Sequence, residues 1–94
     1  MRLSTEERAF LKQELAKRSP EARIYLFGSR TDDRRRGGDI DLLVLSETLT
    51  MSDIRWLRIA FCARFGEQKI DILLDDGRLQ TPFHRIAWQQ AVAL

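Results

Sequence analysis

The chain has 94 residues, 44% apolar and 32% charged, with 16 Lys and Arg against 14 Asp and Glu for a net charge of +2. That length and balance fit one globular domain, 1–94, and exclude an intrinsically disordered chain, while so small a charge gives no argument for a nucleic-acid partner. Its one cysteine, Cys62, excludes an internal disulfide and, lacking Cys or His neighbours at zinc spacing, reads as a packing residue.

No apolar run approaches the ~20 residues that span a bilayer. The first residues, Met1 to Glu7, are polar and acidic, unlike a secretory signal. A soluble cytoplasmic protein without membrane contact is the expectation.

Ser4 to Arg18 reads as a helix. Ser4 and Glu7 make a capping box, and Ser19-Pro20 stops the run. Its apolar stripe of Phe10, Leu11 and Leu15 is thin, so it covers an edge of the core. Arg23 to Phe27 is β-branched and aromatic and reads as a strand, broken by Gly28-Ser29. Arg30 to Arg36 is a short polar helix or loop before Gly37-Gly38. Asp39 to Leu45 is apolar on both faces after its acids, the pattern of a central strand.

Thr50 or Ser52 caps a helix from Asp53 to Phe65, and Gly66 stops it. This helix is apolar around most of its circumference, with Arg55, Arg58 and Cys62 on the narrow remaining face. Either a wide core stripe or a partner-facing surface explains that pattern. Lys69 to Leu74 is a third strand, and Asp75-Asp76-Gly77 a turn. Thr81-Pro82 opens a last helix with Phe83, Ile86, Ala87 and Leu94 on one face. The expected fold is α/β (α+β), a small mixed three-strand sheet packed with about four helices.

The chemistry lies in the acids. Asp39 and Asp41 are spaced i, i+2 at the head of a strand, so they share a face. Like charges that close repel, and burial worsens the penalty; a divalent cation removes it. Asp71 adds a third carboxylate from a neighbouring strand. Magnesium takes oxygen ligands and leaves positions for phosphate and water, and two-metal phosphoryl transfer needs such a set. Asp39, Asp41 and Asp71 are therefore the candidate metal ligands and catalytic acids, with Asp71 also placed to accept a hydroxyl proton. The bland alternative is a solvated Asp39, with Asp41 and Asp71 paired to arginines. The upstream turn favours the site: Gly28 allows close backbone approach to a phosphate, Ser29 offers a hydroxyl and an amide, and Arg30 a charged grip. Arg34-Arg35-Arg36 reads as a solvated loop or a triphosphate contact. His84 reads as a surface or capping residue, and Trp56 and Trp88 as core or interface anchors.

The joined motif, Leu26-Phe27-Gly28-Ser29-Arg30, a spacer, then Gly38-Asp39-Ile40-Asp41-Leu42-Leu43-Val44, resembles the signature of the minimal nucleotidyltransferase (MNT) family of the DNA polymerase β superfamily. The resemblance covers essentially the whole chain, although nine residues separate Ser29 from Asp39 and Thr31-Asp32-Asp33 stands where a small-residue turn is usual. It implies a polymerase β-like fold, Mg²⁺ and a nucleoside triphosphate donor, usually ATP. It places Gly28 and Ser29 at the phosphates, Asp39 and Asp41 on the metal, and Asp71 as third ligand or base. Small members of this family are commonly antitoxins paired with a HEPN ribonuclease toxin, to which they transfer AMP. The expected function is thus Mg²⁺-dependent transfer of AMP to a hydroxyl of a partner protein. The alternative is an interaction module that neutralises the partner by binding alone.

Overall fold

A computed structural model of the chain describes residues 3–28 and 40–94. Helix α1 (Thr5–Arg18) starts at the expected capping box, in which the Ser4 hydroxyl accepts from the Glu7 amide and the Glu7 carboxylate accepts from the Ser4 amide. Strands β1 (Arg23–Phe27) and β2 (Ile40–Leu45) follow. Helix α2 (Met51–Phe65) begins two residues earlier than expected, because Thr50 caps it and closes a second capping box with Asp53. Strand β3 (Ile70–Asp75) takes in Asp75, and α3 (Pro82–Gln90) starts at the Thr81 cap with proline in its first turn.

The mixed α/β class stands, with one correction to the sheet. It has four strands, ordered β3-β2-β1-β4, rather than three. The last helix ends at Gln90, where Ala91 turns extended, and β4 (Val92–Ala93) pairs antiparallel with Leu26 and Tyr25. Leu94 therefore leaves the α3 face; its amide donates to the Ile24 carbonyl, and its side chain joins the other side of the sheet. The cause is the backbone of β1, whose second edge needs partners that a continued helix would not supply. Three helices stand among the described residues; the short polar helix or loop expected over 30–36 lies outside them.

The sheet separates two apolar layers. Ile24, Leu26, Ile40, Leu42, Val44 and Ile70 face α1 and α2 and pack against Leu11, Leu15, Ile54, Leu57 and Phe61. Phe27 and Leu43 face the opposite way, where Ala87 of α3 meets them. Among the described residues α3 is thus the helix that covers the second face. Of the α2 circumference, Ile54, Leu57 and Phe61 are buried, whereas Ile59 is 61% exposed and Trp56 lies under the Arg18 guanidinium, 4.0 Å from its ring centroid. No helix among the described residues is long and apolar enough to cross a membrane.

Candidate active site

Strand alternation decides where the acids point. Ile40 and Leu42 belong to the α1/α2 layer and Leu43 to the α3 layer, so Asp41 lies on the α3 side. The parallel β2–β3 register pairs Asp41 with Asp71, and Leu43 with Leu73. The two carboxylates therefore stand side by side on one face, on strands about 4.8 Å apart. Asp41 is half-buried and Asp71 exposed. Each is the second residue of its strand, and the antiparallel β1–β2 register brings Phe27 opposite Asp41. A row Phe27–Asp41–Asp71 thus crosses the sheet and ends at its β3 edge.

Gly28 completes this corner. Its φ is +76°, and a Cβ built on it would lie 2.6 Å from the Asp41 Oδ2. A side chain there would occupy the space the carboxylate uses, so both the turn and the close approach require glycine.

Of the residues expected to form the site, Gly28, Asp41 and Asp71 are brought together. Asp39, Ser29 and Arg30, like the Arg34–Arg36 run, lie outside the described residues. Among the described residues no group of three or more Asp, Glu, His or Cys side chains could hold a metal ion. Two adjacent carboxylates, one of them beside a glycine that leaves room for it, fit a hard cation such as Mg²⁺. The third expected carboxylate belongs to Asp39, two positions before Asp41 on the same chain.

A family model described as a nucleotidyltransferase domain matches residues 10–91. The chain belongs to that family. No curated protein matches it. The matched span runs from α1 through α3 into Ala91, so it includes Gly28, the β2 acid Asp41 and the β3 acid Asp71. The mixed four-strand sheet is consistent with a nucleotidyltransferase fold.

Two polar clusters escaped sequence reading, both at the opposite end of the sheet. His84 is not a bare surface residue: its Nδ1 lies 2.7 Å from Asp75 Oδ2, while Asp75 Oδ1 accepts from the Gly77 and Leu79 amides. Burial pushes the Asp75 carboxyl up, but the His84 bond and the two amides outweigh it and hold it below the usual range. The other cluster joins two loops. Glu21 accepts from the Ser19, Ser46 and Thr48 hydroxyls, and its pKa falls from 4.5 to about 2, chiefly through Ser19. Ser19 and Ser46 are both buried. The Asp75–His84 and Glu21–Thr48 contacts join residues 9 and 27 positions apart, which no local spacing signals, whereas the Ser19–Glu21 contact and the Asp75 contacts with the Gly77 and Leu79 amides are local.

Proposed function

We propose that this nucleotidyltransferase moves AMP from ATP to a hydroxyl group of a partner protein with magnesium bound at Asp39, Asp41 and Asp71, and that it acts as the antitoxin of a HEPN-type ribonuclease toxin. The observation that carries the catalytic part is the Asp41–Asp71 register beside Gly28. Membership of the nucleotidyltransferase domain family supplies the reaction class. The antitoxin part rests on the resemblance of the Gly28–Asp41 motif to minimal nucleotidyltransferases. A small domain can seat a nucleotide and has little surface left to enclose a complex acceptor, so the acceptor brings its own docking surface.

In this reading Gly28 and Ser29 present backbone groups to the phosphates, and Arg30 adds a charged grip. Asp71 accepts the proton of the attacking hydroxyl. The acceptor oxygen bonds to the α-phosphorus, the α–β phosphoanhydride bond breaks, and pyrophosphate leaves with the bonding electrons. Bound magnesium supplies neutralisation of the triphosphate charge and of the charge that develops on the leaving group.

The test incubates the chain with a HEPN-type ribonuclease, labelled ATP and Mg²⁺. Label should appear on the partner and vanish with Asp41→Ala or Asp39→Ala. Neutralisation of the partner that persists in both variants, without label, would replace the enzyme by a module that acts through binding alone.

A further inference from the structure

We propose that the acceptor of this transfer is an extended peptide segment that adds as a new strand to the outer edge of β3, with its hydroxyl residue opposite Asp71. The proposal rests on the nucleotidyl-transfer reading above and names its acceptor class.

Among the described residues β3 ends the sheet, and β2 is its one strand partner. The hydrogen bonds tell which backbone groups are used. The Lys69 carbonyl accepts from the Ile40 amide at 3.1 Å, and the Asp75 carbonyl from the Ser46 amide at 2.9 Å. Main-chain groups alternate sides along a strand, so residues 69, 71, 73 and 75 turn theirs toward β2. The amides and carbonyls of Ile70, Ile72 and Leu74 then point outward. β3 contains no proline, the commonest block to strand addition. Pairing to an edge of this kind is a known recognition mode in which main-chain bonds give affinity and alternate side chains give specificity.

Register sets the chemistry. Phe27, Asp41 and Asp71 occupy one row across β1, β2 and β3. An added strand places its next residue in that row, on the same face as both carboxylates. Because the Asp71 main-chain groups face β2, an antiparallel newcomer meets Asp71 in a non-hydrogen-bonded pair, the closer kind, with Cα atoms about 4.5 Å apart. The Asp71 side chain makes no hydrogen bond or ion pair among the described residues and is exposed, so its carboxylate is available to a hydroxyl there. On one side of that hydroxyl the next residue meets Ile72, a half-buried side chain that invites a β-branched or aromatic partner, and the one after it meets Leu73; on the other side the next residue meets the buried Ile70. The segment also has somewhere to go: Glu67 and Gln68, just before β3, border a cleft of about 470 Å³ with Arg58, Ile59, Cys62 and Ala63 of α2. The hydroxyl proton passes to Asp71, the new bond forms between its oxygen and the α-phosphorus, and pyrophosphate departs.

The experiment offers the full chain, with ATP and Mg²⁺, a pool of nonapeptides that are degenerate except for one central Ser, Thr or Tyr, and identifies modified peptides by mass. Modified peptides should be enriched in β-branched and aromatic residues beside the hydroxyl. Ile72→Pro removes an outward amide and no bond to β2, and should lower transfer at least tenfold relative to Ile72→Ala, which loses the same packing but keeps the amide. Both variants should bind ATP with Mg²⁺ like the parent by calorimetry. In a second measurement, a modified-sequence peptide should slow amide exchange at Ile70, Ile72 and Leu74, leaving Asp71 and Leu73 unchanged. Equal transfer by the two variants, absence of edge protection, or absence of any modified peptide while ATP binding is normal would overturn the strand-addition proposal. Failure of the parent chain to take up ATP and Mg²⁺ would instead overturn the nucleotidyl-transfer reading beneath it. Should Ile72→Pro lose its fold, Leu74→Pro against Leu74→Ala makes the same comparison one outward residue further along.

Discussion

Gly28 meets the Asp41 carboxylate so closely that a single added carbon would lie 2.6 Å from Oδ2. The glycine at the end of β1 and the acid at the start of β2 are therefore one construction. Gly28→Ala would both strain a residue at φ +76° and push the carboxylate aside. The expected backbone cost is about 1–2 kcal/mol. Thermal unfolding should show that modest loss, while nucleotidyl transfer falls far more, because the acid has moved. Equal, small losses in both measurements would separate the turn from the site.

Asp71 is exposed, so its replacement should leave the fold intact. Asp71→Asn is expected to change unfolding free energy by no more than about 0.5 kcal/mol. Transfer should fall by at least 10²-fold, since the amide neither binds Mg²⁺ well nor takes a proton. Chelation of the metal should likewise abolish transfer without altering the circular dichroism spectrum. A chelated protein that retains transfer would remove magnesium from the reaction.

The Glu21 network makes stability depend on pH in an acid window. Its carboxyl is depressed from 4.5 to about 2 by the Ser19, Ser46 and Thr48 hydroxyls. A depressed carboxyl contributes stability in full above its ordinary pKa and loses it as pH falls toward the folded value. Acid unfolding followed by circular dichroism should therefore steepen between about pH 4.5 and 2, and flatten in Glu21→Gln. The same slope in both proteins would show that the network does not titrate with folding.

Asp75 and His84 tie the end of β3 to the first turn of α3, on the sheet face that α3 covers. Asp75→Ala would leave the Gly77 and Leu79 amides and the imidazole without their acceptor. The expected destabilisation is about 1–3 kcal/mol. Asp75 is four residues along β3 from Asp71, about 13 Å at strand rise, so ATP binding at low temperature should be unaffected. Denaturant unfolding with calorimetry on the same sample checks both halves.

Local signals carried most of the elements. The Ser4 and Thr81 caps, the β-branched and aromatic run of β1, and the glycine after α2 act within a turn or two of themselves, so their positions needed no tertiary context. The shifted boundaries have local causes: Thr50 and Ser52 both suit a cap, and Asp75, read as the first residue of the Asp75-Asp76-Gly77 turn, extends the ladder by pairing with Leu45. The fourth strand was invisible because Ala91-Val92-Ala93-Leu94 suits a helix by composition. Only the unpaired edge of β1 draws Val92 and Ala93 into the sheet.

The chain of residues alone determined that Gly28 precedes a pair of acids at a fixed interval, that a third acid stands at the head of another strand, and that the Gly28–Asp41 stretch resembles a nucleotidyltransferase signature. Those are statements about covalent order and two-residue periodicity, which folding cannot change. Which strand lies beside which was decided by tertiary structure. Thirty positions separate Asp41 from Asp71, and it is the parallel register of β2 with β3, driven by burial of Ile40, Leu42, Val44 and Ile70 against α1 and α2, that sets their carboxylates together and, among the described residues, leaves Asp71 at the sheet edge.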